Sequence, residues 1–578
     1  MFWRTVKVKG HDGSTQEYVR LVEAYWKNGR SKQRVILSLG RKELIAPHLD
    51  SLMRLIRGEE LAPETKPSDS APPEIHAAQA ACWGTMLVTR QLWVELGLES
   101  ILDSSARKAR RADKAPLSDR ALVLVANRLA QPSSEHRLAD WLETDFVCDR
   151  KGKRFLPTWK QQGRVRVDLN WLQQWYRTLD ELIAQKATIE VQLFARLRTL
   201  FALQVEMVFY DITSTYFEGE GPSGFAKYGY SRDEKRQNRQ VLVGLVMVDG
   251  WPIAHHVFAG NLLDHQTVSE VVKDLAQRFG LKRVIFVGDR GMITSANLEQ
   301  LRQRGQGYLL GLRRRRQAQS YQLVERATGE WSECPAANTA SGNAPRTKVQ
   351  EVRSDTPGVR VFVAHSEERE AYERGMRERS MERTRAALEK LATRVKSGRL
   401  KSAAKIGEAA GRLLNQNHGH RYYGWELVAG VFNYFEHPVH LAREKALEGK
   451  YLIQTEEQTL TPVEAVQAYK ELSEVERGCR LLKDVIDMRP IYHRSKQRVQ
   501  AHIFIAALAF LLHRALEKKL KASGVAMSAD QALRALRTIH VVDIVVGHQH
   551  KQSTTSGSKG AQQVLSAMGI ADRNPPPW

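Results

Sequence analysis

The chain has 578 residues, and its 88 Lys and Arg outweigh 65 Asp and Glu to give a formal net charge of +23 and a sequence pI near 9.8. That length exceeds what one hydrophobic core usually organises, so several domains are expected. The charge favours a polyanionic partner, nucleic acid before others, and the longest apolar run, Ile503 to Leu512 between His502 and His513, is too short to cross a bilayer.

From the amino end, Tyr18 to Trp26 and Arg34 to Leu39 read as strands flanking a turn at Asn28-Gly29. Residues 1–45 are therefore expected to form a β ribbon, and the opening MFWRTVKVKG lacks the apolar stretch of a signal peptide. Pro63, Pro67, Pro72 and Pro73 make Leu61 to Glu74 a linker, so residues 46–74 read as a helix and a Pro-rich connection. Helical periodicity dominates residues 75–203, where LSDRALVLVANRLA, Gln131-Pro132 and SSEHRLADWLE resemble helix, turn, helix. This region is the expected DNA-binding domain, although two packing helices read the same way. Basic runs at Arg107-Lys108, Arg110-Arg111, Lys151 to Arg154 and Arg313 to Arg316 strengthen the nucleic-acid expectation. Cys82, Cys148, Cys334 and Cys479 are scattered, with no zinc or disulfide spacing, as suits a reducing cytosol.

The next stretch carries two strand-borne acids. VEMVFYD reads as a strand ending in Asp211, and QVLVGLVMVDG and WPIAHHVFAG form two more, joined at Asp249-Gly250. A helix follows, with Val268, Val271, Val272, Leu275 and Phe279 on one face and Gly280 as its stop, and then RVIFVGD leads to Asp289. Three strands, a helix and a fourth strand, with Asp on the first and fourth, is the layout of an RNase H-like core, in which those strands are neighbours. The fold class expected is α/β: an RNase H-like catalytic core over residues 204–301 and 451–530, split by an insertion domain at 302–450. The insertion includes a polar stretch near Ala336 to Pro345, a strand VRVFVAH and a charged helical region from Glu367 to about Leu414. Residues 531–578 read as a C-terminal tail, with its end, around Ser553 to Ser558 and Pro575 to Trp578, expected to be mobile.

Thr461-Pro462-Val463-Glu464 opens a helix with a cap, a first-turn proline and a capping-box Glu. At about 100° per residue, Tyr469, Leu472, Glu476, Arg480 and Lys483 fall within roughly 80° of one another, beside a buried stripe of Val475, Cys479, Leu482 and Ile486. Glu476 is then a third acid at the border of core and solvent. An exposed face with a Glu476–Arg480 pair gives the same pattern.

Tyr469, Glu476 and Lys483 in YKELSEVERGCRLLK resemble the Tyr-x2-Arg-x3-Glu-x6-Lys signature of bacterial insertion-sequence transposases of the DDE type, with Leu472 at the Arg position. FYDITSTYFEG, GNLLDHQT, VGDRGMIT, RPIYHRSKQRVQAHIFIAALAFLL and the amino-terminal YVRLVEAYWKNGRSKQRVILSLGR resemble the same family. The resemblance implies catalytic and metal-binding Asp211, Asp289 and Glu476, with two Mg²⁺ ions that Mn²⁺ can replace, because carboxylates and phosphate oxygens suit that ion. Tyr469, Arg480, Lys483 and Arg494 are the expected DNA-binding residues. The substrates implied are double-stranded DNA, as the element's inverted repeats and as target, bound by a homodimer in the bacterial cytoplasm at the nucleoid, with no membrane. A non-catalytic DNA-binding regulator and a metal-dependent nuclease without strand transfer are the alternatives.

Lesser signals are set aside or left open. Gly219 to Gly224 fits G-x-G-x-x-G but precedes a polar loop rather than a helix, and no phosphate-binding GxxxxGK[ST] loop occurs. Asn261, Asp264 and Thr267 fit either site neighbours or helix caps, and Tyr492 and His493 fit either a DNA-facing or a surface role.

Overall fold

The computed structural model describes residues 2–9, 15–27, 30–42, 75–105, 115–156, 160–162, 165–167, 169–203, 205–281, 284–289, 294–312, 318–335, 346–416, 418–546 and 549–576. The Asn28-Gly29 turn, the linker of residues 46–74, the basic runs at Arg107 to Arg111 and Arg313 to Arg316, the Ala336 to Pro345 stretch and residues 290–293 of VGDRGMIT lie outside them.

Strands β1 (Phe2–Lys9), β2 (Thr15–Lys27) and β3 (Arg30–Arg41) form an antiparallel ribbon. Strand β4 (Ile75–Cys82) precedes a helical layer of α1 (Gly84–Glu95), α2 (Leu98–Ser105), α3 (Leu117–Ala130) and α4 (Leu138–Thr144). A short hairpin, β5 (Lys160–Gln162) and β6 (Val165–Val167), leads into the long α5 (Leu169–Phe201). The helix-turn-helix reading spans α3 and α4, and Asp140, Glu143 and Thr144 of the second helix are exposed. Every residue from Leu117 to Arg128 is buried, so α3 packs in the core and offers no face to a groove. The expectation of helix throughout 75–203 also fails at β4, whose Ala-rich IHAAQAAC adopts a strand because a distant partner pairs with it.

The central sheet begins with β7 (Met207–Tyr216), β8 (Gln240–Val248) and β9 (Trp251–Ala259), followed by helix α6 (Asp264–Arg278) and strand β10 (Ile285–Gly288). Then come α7 (Ser295–Gln303), β11 (Gly307–Gly311), α8 (Ala318–Glu325), β12 (Ser332–Cys334), β13 (Thr347–Val352) and β14 (Arg360–Ser366). Helices α9 (Glu367–Lys396) and α10 (Ala403–Gln416) pack with the hairpin of β15 (Tyr423–Val428) and β16 (Val431–Glu436). After α11 (Pro438–Leu447), strand β17 (Lys450–Thr455) returns to the sheet, whose order is β12-β13-β14-β17-β11-β10-β7-β8-β9. The insertion expected over 302–450 is thus only partly separate. Strands β11 to β14 extend the central sheet, and the unit with its own small core runs from α9 to α11. Alternating apolar residues explain this: Val349, Val361 and Val363 have inward faces that only a covered sheet can bury.

Helix α12 (Pro462–Asp484) lies across one face of the sheet, behind it α13 (Lys496–Ala522). The predicted capping box is present: Glu464 N donates to Thr461 Oγ1 at 3.2 Å, and Thr461 N donates to Glu464 Oε2 at 2.8 Å. Helix α13 is long and apolar enough to cross a membrane, but 89% of its apolar window is buried between α3, α5, α12 and β9, as a core helix would be. The segment expected as a C-terminal tail is folded. Helix α14 (Ala529–Leu536), strands β18 (His540–Val546) and β19 (Gln549–Thr554) and helix α15 (Lys559–Ala567) bury Leu536, Ile539, Val564 and Leu565, and β18 pairs antiparallel with β4.

Candidate active site

Adjacent parallel strands set the first two acids. Hydrogen bonding pairs Met207 with Ile285, Val208 with Phe286 and Phe209 with Val287. Two residues beyond that last pair come Asp211, within β7, and Asp289, just past the end of β10. Alternation puts Asp211 on the face of Phe209, which with Val287 shares a core with Val475, Cys479 and Leu482 of α12. The opposite face, with Val208, Tyr210 and Phe286, is covered by α6.

Glu476 is supplied from above, by α12. The helix can approach closely because Gly478 has no side chain: a Cβ there would lie 2.8 Å from the Phe510 ring and 3.1 Å from Leu245. The three acids act on one another. Burial pushes the Asp211 carboxyl up to about 6, a hydrogen bond from the Ile212 backbone opposes this, and the charges of Glu476 and Asp289 raise it further. The Cys479 thiol hydrogen-bonds Asp211, and burial lifts that thiol well above its ordinary range. Asp289 and Glu476 open onto a cavity of about 1030 Å³ that Leu312, Tyr451, Tyr469 and Leu472 also line.

The helical face expected to serve DNA is divided. Tyr469 lines the cavity, its ring stacked on Tyr451 at 5.9 Å between centroids, and its hydroxyl fills the space where a Cβ on Gly311 would be. Leu472 is 3% exposed and belongs to the core. Arg480 and Arg494 are exposed. Lys483 is buried, its Nζ 2.8 Å from Asp233 Oδ1, and Arg489 engages the same carboxylate. The single sector drawn from helical spacing fails because the sheet and α13 both flank α12, so its buried arc is wider than one stripe.

Sequence reasoning passed over Arg232, Asp233, Cys479 and Arg489. Arg232 N donates to Ser214 Oγ at 3.2 Å, its guanidinium pairs with Asp264 at 2.7 Å, and its charge draws the Asp211 carboxyl back down. The signal was the density of charge in YSRDEKRQNR, immediately before β8. Asp264 opens α6 yet its carboxylate faces Arg232, while Thr267 Oγ1 donates to Asp264 O at 2.7 Å and accepts from the Tyr210 hydroxyl at 2.9 Å.

His493 is not a surface residue. It lies 3.6 Å from Glu135, and these two with His502 bring their ligand atoms within 4.8 Å of one another. A cation is disfavoured there. His502 Nε2 faces the Met488 carbonyl at 3.1 Å and Nδ1 faces the Arg128 guanidinium at 3.3 Å, so the first must donate and the second accept. Tyr492 is 62% exposed.

Asp211, Asp289 and Glu476 differ from that cluster, which is the one group among the described residues whose ligand atoms all lie within 4.8 Å of one another. All are hard oxygen donors, and the rise at Asp211 comes first from burial, with smaller contributions from the charges of Glu476 and Asp289. The donor set fits a divalent cation.

The family described as Transposase DDE domain matches residues 206–512, and that described as IS1634 family transposase, N-terminal domain, matches residues 3–66. Among curated proteins none matches. A solved piggyBac transposase synaptic complex with hairpin DNA is similar at a TM-score of 0.34 and 8% identity, over 80% of this chain and 82% of that one, a likeness too slight to carry an argument.

Proposed function

The chain belongs to the transposase DDE-domain family, and from that premise we propose that Asp211, Asp289 and Glu476 are its catalytic carboxylates, on an RNase H-like core. As a DNA transposase it cuts DNA and joins strands. The observation that supports the site is the pairing of the strand that carries Asp211 with the strand that leads into Asp289, with the charges of Asp289 and Glu476 felt at Asp211. Support for the core comes from the sheet order β9-β8-β7-β10-β11, in which β8 is antiparallel to its neighbours while β10 and β11 run parallel to β7.

The divalent ions, read as two Mg²⁺ with Mn²⁺ able to substitute, supply activation of the attacking oxygen and stabilisation of the leaving one when bound. The three carboxylates hold that charge in place. Arg232, fixed by Asp264, moderates the negative potential around Asp211. Water attacks a phosphodiester at the element end and the P–O3′ bond breaks, leaving a 3′-hydroxyl. That hydroxyl attacks a target phosphodiester in the same site, and a target 3′-oxygen departs. No covalent bond to the protein forms. Tyr469 presents its hydroxyl and ring to the strand in the cavity, and exposed Arg480 and Arg494 meet backbone phosphates. Lys483, buried on Asp233, acts through that ion pair rather than at a phosphate. The substrates are the element's inverted repeats and target DNA, bound by a homodimer in the bacterial cytoplasm at the nucleoid.

Asp211→Asn, Asp289→Asn and Glu476→Gln, each tested for Mg²⁺-dependent cleavage of the element's end, are expected to lose cutting by at least a hundredfold while still binding DNA. Retained cutting in any one removes that residue from the set.

A further inference from the structure

The β1–β3 ribbon lies outside the catalytic cavity, and its free end has an unusual surface. The described ribbon residues, 2–9, 15–27 and 30–42, hold ten Lys or Arg against two acids, Glu17 and Glu23. Both acids are neutralised: Glu17 pairs with Lys42 at 2.8 Å and Lys7 at 3.6 Å, and Glu23 with Arg34 at 2.6 Å. Further towards the β2–β3 end, Arg30 and Lys32 are exposed, and no ion pair among the described residues engages them. Register sets aromatic side chains beside this charge, with Tyr25 opposite Lys32 and Trp26 opposite Ser31. Trp26 is 78% exposed and Tyr25 38%. An indole left in water forgoes about 2 kcal/mol or more of apolar burial, so its exposure among cations suits a partner both anionic and able to cover a flat ring.

We propose that this end of the β2–β3 hairpin is a duplex-DNA contact, with Arg30 and Lys32 on backbone phosphates and Trp26 and Tyr25 against the groove wall. A two-stranded ribbon matches the width of a major groove, roughly 12 Å. The charge complementarity names the occupant: a surface whose acids are already paired and whose cations are not attracts a polyanion. The proposal rests on the reading of the chain as an enzyme that works on DNA, and it adds a contact remote from the carboxylates.

The test uses the full chain in EDTA, so that no cutting occurs, with a fluorescein-labelled 40-base-pair duplex of mixed sequence and a matching single strand, followed by anisotropy across a salt series. The Arg30→Ala, Lys32→Ala, Trp26→Ala triple variant is expected to bind duplex about tenfold more weakly. Its log–log salt slope should be shallower by about two, one for each lost phosphate contact. Lys32→Glu alone, a change at an exposed position, should weaken binding in the same direction. Unchanged affinity and slope overturn the proposal. So does a loss confined to the single strand, or a change in sedimentation of the free protein with DNA binding intact, which would make the surface a contact between copies. If the unaltered chain binds no duplex at all, the DNA reading itself fails first.

Discussion

Lys483 and Arg489 share one nearly buried carboxylate, Asp233, which sits 2.8 Å from the lysine Nζ. Arg489 also pairs with Asp484 at 2.5 Å, so two cations meet two acids beside the base of α12, and the charge of Lys483 is felt at Cys479, the neighbour of Asp211. The loop that supplies Asp233 also supplies Arg232. One segment between β7 and β8 therefore supplies both a cation whose charge reaches Asp211 and the acid that holds Lys483.

Asp233→Asn removes that carboxylate's charge with little change of shape, and two cations lose their common partner. Breaking a buried pair in this way costs about 3 kcal/mol, so the urea midpoint should fall accordingly. Cleavage should fall as well, because Lys483 is no longer held. A variant as stable as the parent would mean that the ion pair contributes nothing to the fold.

Gly311→Ala places a methyl group where the Tyr469 hydroxyl now lies. The expected result is a folded protein whose metal-dependent cleavage drops about tenfold, since the ring must leave its stacked position on Tyr451. Adding Tyr469→Phe removes the clashing oxygen and should recover part of the fold's stability, visible as non-additivity in a double-mutant cycle. Strict additivity of the two melting shifts would place the residues out of contact.

Burial, with the Arg128 charge beside it, holds His502 neutral, its imidazole pushed down from 6.5 to about 3. Between those values the unfolded chain binds a proton that the folded chain refuses, so stability falls as pH drops. The slope is about 1.4 kcal/mol per pH unit at most, absent above 6.5 and levelling near 3. Urea titrations at pH 7.5, 6 and 5 should show this decline, and His502→Gln should lessen it. An equal slope in the variant would assign the acid sensitivity elsewhere.

Local pattern made part of this molecule legible. The strand alternation around Asp211 and Asp289, the Thr461 capping box and the stop at Gly280 depend on neighbours in sequence, and the first strands of the sheet follow from them. What escaped depends on distant partners. Nothing in IHAAQAAC announces that β18 will pair with it, and nothing in LSDRALVLVANRLA says that α13 and α5 will enclose both of its faces. Helical spacing put Leu472 and Lys483 beside Glu476, yet a wheel shows direction without showing what lies there. For Leu472 it is core, which accounts for an apolar side chain where the resembling signature has Arg. For Lys483 it is an acid contributed by a loop far away in sequence.

The pairing of β4 with β18 also orders events in time. Residues 75–82 leave the ribosome early, but their partner strand, residues 540–546, is synthesised only after the whole catalytic sheet. Until then the nascent protein exposes an unmated edge on the side where α1 begins, open to proteases and to wrong pairing with other chains.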